Sequence, residues 1–293
     1  VPDPIDRPYR ELCVYHLEGR VAPEEDLGVE SFLGLWQEGE SAFLFFRAPE
    51  AAAVARLLAR RPRARLVDSY RMPYEQWQGA AVCGRIGRFA IRPPWERGAP
   101  ADGAGEALPL IVDPGVVFGT GTHPTTRDCL AALEEVAAGR PARRVLDLGT
   151  GTGILALAAA RLGCRRVLAV DANLLAARTA RRNVLLNGFS ERILVIQGLA
   201  EEAAAAPAEL LVANLHGAAM RALLGAPGFR DKQRFILSGL MRREAKEVRE
   251  MLARAGIAIV SERIAEGAWH TLTAVNRDGP GPWPDPQEAS WTN

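Results

Sequence analysis

The run VLDLGTGTGIL, Val145 to Leu155, reads as a buried strand, a glycine turn and the start of a helix. Val145, Leu146 and Leu148 supply the strand; Gly149, Gly151 and Gly153 alternate through the turn; Ile154-Leu155-Ala156 opens the helix. These are the parts of the first half of a nucleotide-binding βα unit. Glycines are needed there because the turn takes positive φ and a ligand must approach bare backbone. The dinucleotide fingerprint G-x-G-x-x-G fails, because Ile154 stands where its third glycine belongs. Asp147 lies just before the loop, where its charge opposes a pyrophosphate at the helix N-terminus. A carboxylate beside a glycine turn suits a cationic ligand instead. A merely tight strand-to-helix turn needs neither three alternating glycines nor the acid.

Outward from this unit, regular βα alternation from Leu110 onward predicts a doubly wound α/β fold, a mostly parallel sheet with helices on both faces. Strands are expected at Arg144–Leu148, Arg166–Asp171, Arg192–Gln197, Leu210–Asn214 and Arg234–Ser238. Helices are expected at Thr125–Ala138, Ile154–Leu162, Leu174–Asn187, Ala218–Leu224 and Arg243–Ala255. Ile257–Ile264 and Trp269–Val275 have the spacing of a closing hairpin.

Toward the N-terminus the pattern predicts a small α+β ferredoxin-like domain over residues 1–85. Leu12–Leu17, Ser41–Phe46 and Arg65–Ser69 read as strands and Glu50–Arg60 as a helix. Tyr74–Gln78 is a turn or short helix, and Pro23–Trp36 is ambiguous, with room for a short helix. Residues 86–109, rich in Gly, Ala and Pro at Gly98–Gly105, are the expected linker. Pro93 and Pro94 there need no more than a rigid extended segment or a turn. The large domain then runs over 110–276, and the tail 277–293, with GPGPWPDP, reads as flexible.

Composition excludes several classes. Hydrophobic residues make up 48% and charged residues 24%, as in an ordinary globular protein. Lys plus Arg (36) balance Asp plus Glu (35), so global charge gives no reason for a nucleic-acid partner. Short arginine clusters such as Arg60-Arg61-Pro62-Arg63 read as solvated faces. Cys13, Cys83, Cys129 and Cys164 lie far apart without a C-x-x-C pair, which argues against a metal site or a disulfide framework. No apolar run approaches the roughly 20 residues of a membrane span, and no signal-peptide pattern is present. A cytoplasmic protein is expected, with Val1 in place of Met implying trimming.

Further candidate residues fall at strand ends, where a doubly wound sheet binds ligands. Asp171 ends the second strand, about 20 residues beyond the glycine loop, the spacing at which an acid accepts ribose hydroxyls. Asn214 ends the fourth strand; its amide either orients an amine or simply turns the chain. DPGVVFGTGTHPTT, Asp113–Thr126, carries three glycines, four threonines and a histidine before a helix whose N-cap is expected at Thr125 or an adjacent residue. This loop can fold over the glycine turn. His123 alone would be a surface histidine, unless geometry makes it a base.

Asp147–Gly153, read as D-x-G-x-G-x-G, resembles the cofactor loop of class I S-adenosylmethionine-dependent methyltransferases, whose ligand carries an ammonium and a sulfonium and no phosphate. A parallel sheet closed by an antiparallel hairpin also resembles that Rossmann-like fold. DPGVVFGTGTHPTT, VLDLGTGTGILALAA, VDAN, LLVANL, ILSGL and EGAWHTL together resemble the bacterial ribosomal protein L11 methyltransferases, as does FAIRPPWE before them. The resemblance runs from about Phe89 to Asn276. It implies cofactor contacts at Thr126, Gly149, Asp171 and Asn214, and a pocket-lining loop at Phe118, Gly119 and His123. With Asp147, Gly151 and Gly153 these complete the expected S-adenosylmethionine site, Asn214 and His123 being the catalytic candidates. It further implies an N-terminal domain, up to about Arg71, that recognises the protein substrate. The implied activity is methylation of lysine side chains or the N-terminal amine of ribosomal protein L11. Asn173 departs from the family, which commonly has a second acid two places after Asp171.

Three other readings stay open on the residues. Electron-transfer flavoprotein β subunit is a second acceptor whose methyltransferases share the loop. A nucleic-acid amino methyltransferase is disfavoured, because Leu215-His216 follows Asn214 without an aromatic to stack a flipped base. A non-catalytic cofactor-binding module is the third.

Overall fold

The computed structural model describes residues 10–21, 27–78, 84–96, 107–139 and 141–277. Gly98–Gly105, Cys83 and the proline-rich tail beyond Arg277 lie outside the described residues. The N-terminal part contains strands β1 (Glu11–Glu18), β2 (Phe32–Glu38) and β3 (Ser41–Phe46), helix α1 (Ala51–Arg60), strand β4 (Arg65–Pro73) and the short helix α2 (Tyr74–Gln78). Its four strands form one antiparallel sheet in the order β2-β3-β1-β4, the ferredoxin-like order. Strand β2 occupies part of the ambiguous Pro23–Trp36 segment. Its two-residue alternation is broken by a register irregularity between Phe32 and Gly34, and both of its faces are covered, which hides the polar half of the pattern.

Strand alternation makes this sheet two-faced. Tyr15, Leu17, Leu44 and Phe46 pack with Val54 and Leu57 of α1. Leu12, Val14 and Phe45 face the other way, against Val116, Val117, Leu175 and Ala176 of the larger part. Over β1–β3 the N-terminal sheet is therefore a middle layer rather than a separate bead on a tether, while edge strand β4 is exposed.

Strands β5 (Gly84–Ile86), β6 (Phe89–Arg92) and β7 (Leu108–Ile111) form a three-stranded sheet. They fall largely in the segment expected to be a linker. Phe89, Ile91 and Leu110 are fully buried in the same core as Ile154–Ala160 of the large domain, so apolar burial orders their backbone despite nearby glycine and proline.

The large domain follows as α3 (Pro124–Ala137), β8 (Arg144–Leu148), α4 (Ile154–Arg161), β9 (Arg166–Asp171), α5 (Leu174–Leu186), β10 (Ile193–Gln197), α6 (Ala200–Ala203), β11 (Leu210–Asn214), α7 (Gly217–Gly225), β12 (Arg234–Met241), α8 (Arg242–Arg254), β13 (Ile257–Ala265) and β14 (Trp269–Asn276). Its seven-stranded sheet has the order β10-β9-β8-β11-β12-β14-β13. The first five strands are parallel; β14 and β13 run antiparallel as the closing hairpin. This is the class I methyltransferase arrangement. The order reverses between β8 and β11, and a crevice opens there at the strands' carboxyl ends.

Both faces are covered, so the strands read as apolar runs. Val145, Val167, Leu210 and Val212 point to one core, and Leu146, Leu148, Leu211 and Phe235 to the other. Among the described residues no helix is long and apolar enough to cross a membrane. Phe235, fully buried against Phe229 at a ring distance of 4.8 Å, tests the second core. Phe235→Ala is expected to lower unfolding free energy by about 3–5 kcal/mol in urea titration, and a loss below about 1 kcal/mol would mean that this core can collapse around the gap.

Candidate active site

All three glycines of the turn take left-handed φ: +73° at Gly149, +55° at Gly151 and +84° at Gly153. Chirality makes such angles costly for other residues. Clearance imposes a second requirement. A Cβ on Gly151 would lie 2.3 Å from the Phe118 carbonyl oxygen. That oxygen accepts from Thr152 N at 3.0 Å, and Thr152 Oγ1 donates to Gly119 O at 2.5 Å. The threonine-rich loop thus lies directly on the glycine turn.

Asp171, at the end of β9, holds the turn from the other side. One carboxylate oxygen accepts from Gly151 N and the other from Asn173 N, both at 2.9 Å. Burial raises the pKa of Asp171, while these two amide bonds oppose the shift. Asn173 in turn caps α5, its Oδ1 accepting from Leu175 N at 2.8 Å.

Asn214, at the end of β11, donates from Nδ2 to Thr125 Oγ1 at 3.1 Å. Thr125 Oγ1 lies 2.7 Å from His123 Nδ1, which also accepts from Thr125 N and so caps α3. With Nδ1 accepting, the imidazole proton sits on Nε2. Burial lowers the pKa of His123, outweighing the influence of Glu266 in the other direction. The ring meets Phe118 and Trp269 edge-on at 5.2 and 4.9 Å. Gly239 has φ +82°, and a Cβ there would come within 2.6 Å of Leu215 O and 2.9 Å of Asn214 Oδ1.

These groups surround one cavity of about 650 Å³. Of the residues singled out from sequence, Phe118, His123, Gly149, Gly151, Asp171 and Asn214 line it. Four others do not. Gly119 and Gly153 lie behind the wall, Gly119 against Thr152 and Gly153 against Ala180. Thr126 is buried in the α3 core with no hydrogen-bond partner for Oγ1 among the described residues, and Thr125 faces the cavity instead. The helix is capped by His123, not by Thr125 or its immediate neighbours, because Pro124 occupies the first turn.

Asp147 is the main correction. Alternation along β8 turns it to the side of Val145, beneath the turn, where it is 1% exposed. Its Oδ2 accepts from Thr150 Oγ1 at 2.6 Å and from Ala156 N at 3.1 Å. It braces the loop from within rather than presenting charge to the cavity. Among the wall residues that the sequence reading did not single out are two aromatics, Trp36 of β2 and Trp269 of β14. Trp36 lies in the unassigned segment; Trp269, in EGAWHTL, carried a signal that went unused.

The ribosomal protein L11 methyltransferase (PrmA) family model matches residues 74–277. The chain belongs to this family. A ribosomal protein L11 methyltransferase of Pelotomaculum thermopropionicum is 38% identical over 233 residues, covering 76% of this chain and 72% of that protein. The Heliobacterium modesticaldum relative of the same name is 36% identical over 211 residues, covering 68% of this chain but 62% of its own length. Several matches thus span somewhat under two thirds of the relatives. A ribosomal protein L11 methylase structure from Lactobacillus delbrueckii subsp. bulgaricus superposes with TM-score 0.54 at 30% identity, covering 65% of this chain and 95% of that one.

In this member of the family the brace beneath the turn titrates near neutrality. Burial pushes Asp147 from an ordinary 3.8 up to about 7, against the Thr150 and Ala156 bonds. A raised carboxyl pKa makes the folded state hold its proton more tightly. The resulting stability is fully present below the unfolded value and is lost as pH rises through the folded one. Asp147→Asn keeps an acceptor for Thr150 and Ala156 and removes the titration. Between pH about 4 and about 7 its stability in urea titrations is expected to fall less than the parent's. Equal slopes would show that Asp147 contributes nothing to that pH dependence.

Proposed function

We propose that the chain transfers methyl groups from S-adenosylmethionine to lysine side chains, the N-terminal amine, or both, of ribosomal protein L11. The observation that carries the reading is the facing pair at the crevice, Asp171 on the glycine turn and Asn214 oriented by Thr125. The donor set fits the cofactor. The bare backbone of Gly149 and Gly151 admits a ligand closely. Each Asp171 oxygen, already holding one amide, retains a lone pair for a ribose hydroxyl. A cavity of about 650 Å³ is of a size that encloses a nucleoside-sized ligand.

Bound there, the cofactor supplies a methyl carbon already activated by a sulfonium. The residues therefore have mainly to align and desolvate the amine. A free lysine, with pKa near 10.4, is almost wholly protonated at neutral pH. Desolvation of the amine against the aromatic walls Phe118 and Trp269 lowers that value. Because Asn214 Nδ2 is committed to Thr125, its Oδ1 is the atom left to accept an amine N–H and point the lone pair inward. His123, neutral and protonated on Nε2, serves as a wall and donor rather than as a required base. The names of the relatives support ribosomal protein L11 as acceptor, and the N-terminal sheet, up to about Arg71, is the surface that recognises it.

Purified enzyme, labelled S-adenosylmethionine and unmethylated ribosomal protein L11 are expected to give labelled L11, with modified amines located by mass spectrometry. Normal cofactor binding without transfer to L11 would sink the acceptor assignment. Asn214→Ala is expected to lower kcat by about 10²-fold while changing cofactor Kd much less, since it misplaces the amine. Asp171→Ala is expected to do the reverse, weakening the cofactor first. Isothermal titration alongside initial rates separates the two patterns.

A further inference from the structure

The cavity is not made by the large domain alone. Trp36, from β2 of the N-terminal sheet, stands in the same wall as Asp171, Asn173 and Ala176. The connection is specific. Asn173 Nδ2 donates to Leu35 O at 3.1 Å, across 138 residues of chain, while its Oδ1 caps α5. Asn173 N simultaneously donates to Asp171, whose other oxygen holds Gly151 N. A continuous run of hydrogen bonds therefore joins β2 to the glycine turn through the acid of the crevice.

The packing is equally close. A Cβ on Gly34 would lie 2.9 Å from Leu175 Cβ, so β2 sits against the first turn of α5 as tightly as its backbone allows. Leu12, Val14 and Phe45 add an apolar contact with Leu175 and Ala176 beside it. Asn173 is suited to this junction in a way that an acid is not. Aspartate could cap α5 equally well, but it has no N–H for Leu35 O and would set a charge against that carbonyl.

We propose that the N-terminal sheet completes the cofactor site, with Trp36 as a ligand-contacting wall and Asn173 as the positioning residue that couples sheet docking to cofactor binding. This rests on the cofactor reading above and extends it. Coupling between two sites is reciprocal: a bound cofactor stabilises the docked sheet by the same factor by which docking tightens the cofactor. Because the same sheet is the proposed acceptor surface, a filled cofactor site holds the acceptor-binding layer in place, and an empty one holds it less firmly.

S-adenosylhomocysteine, the demethylated cofactor, is the probe, titrated calorimetrically into the full chain. Asn173→Asp keeps the helix cap and removes the donor; it is expected to weaken binding by about fivefold, the size of one hydrogen bond. Trp36→Ala is expected to weaken it by roughly tenfold, with Trp36→Phe recovering most of the loss. Hydrogen exchange supplies the readout that a simple stability defect would not move. The probe should slow exchange in residues 32–38 of the parent, and slow it distinctly less in Asn173→Asp. Parent-like affinity in both Asn173→Asp and Trp36→Ala, or no ligand-induced protection of 32–38 in the parent, overturns the proposal. If Asp171→Ala still abolishes binding in that case, the cofactor reading survives without it. Failure of the parent itself to bind the probe would overturn both.

Discussion

The Phe118 carbonyl oxygen accepts a hydrogen bond from Thr152 N at 3.0 Å, and the geometry of the crevice follows from that contact. It exists only because Gly151 has no Cβ to occupy the space 2.3 Å from the same oxygen. Once the two loops are joined there, Phe118 is held at the mouth of the cavity and His123 follows against its ring. Thr125 then comes within reach of both His123 and Asn214. The glycine turn and the threonine-rich loop are thereby tied to each other through Thr152, and the turn is tied to β9 through Gly149 N, Thr150 N and Gly151 N. A site held in this way requires little reordering when a ligand enters, which is where preorganisation contributes to affinity.

Helix α5 acts as the spine of this arrangement. Its N-cap Asn173 reaches the N-terminal sheet. Nearly three turns further on, Asn183 accepts from Asp113 N and donates to Asp113 O and Thr152 O at 2.8–2.9 Å. One turn beyond, Asn187 makes the same two-way contact with Ile111. Three asparagines on one helix thus satisfy backbone groups in three other segments, where an apolar side chain would leave them buried and unpaired at about 1–3 kcal/mol each. The asparagine amide, with both a donor and an acceptor end, mimics a passing strand.

Much of the large domain was legible because its information is local. Apolar runs of strand length, glycine punctuation and the apolar spacing of the helices all repeat within a few residues, and β8, β9, β11 and their helices fall close to where that pattern puts them. Asp171 and Asn214 were legible for a related reason: strand ends in a doubly wound sheet converge on one crevice. What failed was orientation. Thr125 and Thr126 are neighbours in a first helical turn, and about 100° of rotation separates a cavity-facing side chain from one in the core. Asp147 failed by the parity of β8, since one residue along a strand exchanges one face for the other. The sheet of β5–β7 was obscured by the glycine, alanine and proline beside it.

The amino-acid sequence by itself determined the class of ligand loop, the parallel sheet with its closing hairpin and the carboxylate and amide at its crevice, because each depends on residue types and short spacings. Tertiary structure alone decided which face each side chain presents, and that the N-terminal sheet belongs to the cavity wall. The contact of Asn173 with Leu35 spans 138 residues, and Trp36 enters the wall only when two separately patterned sheets pack with Gly34 against Leu175. No local periodicity encodes such a meeting. It is set by the shapes of two finished surfaces and by the missing side chain that lets them touch.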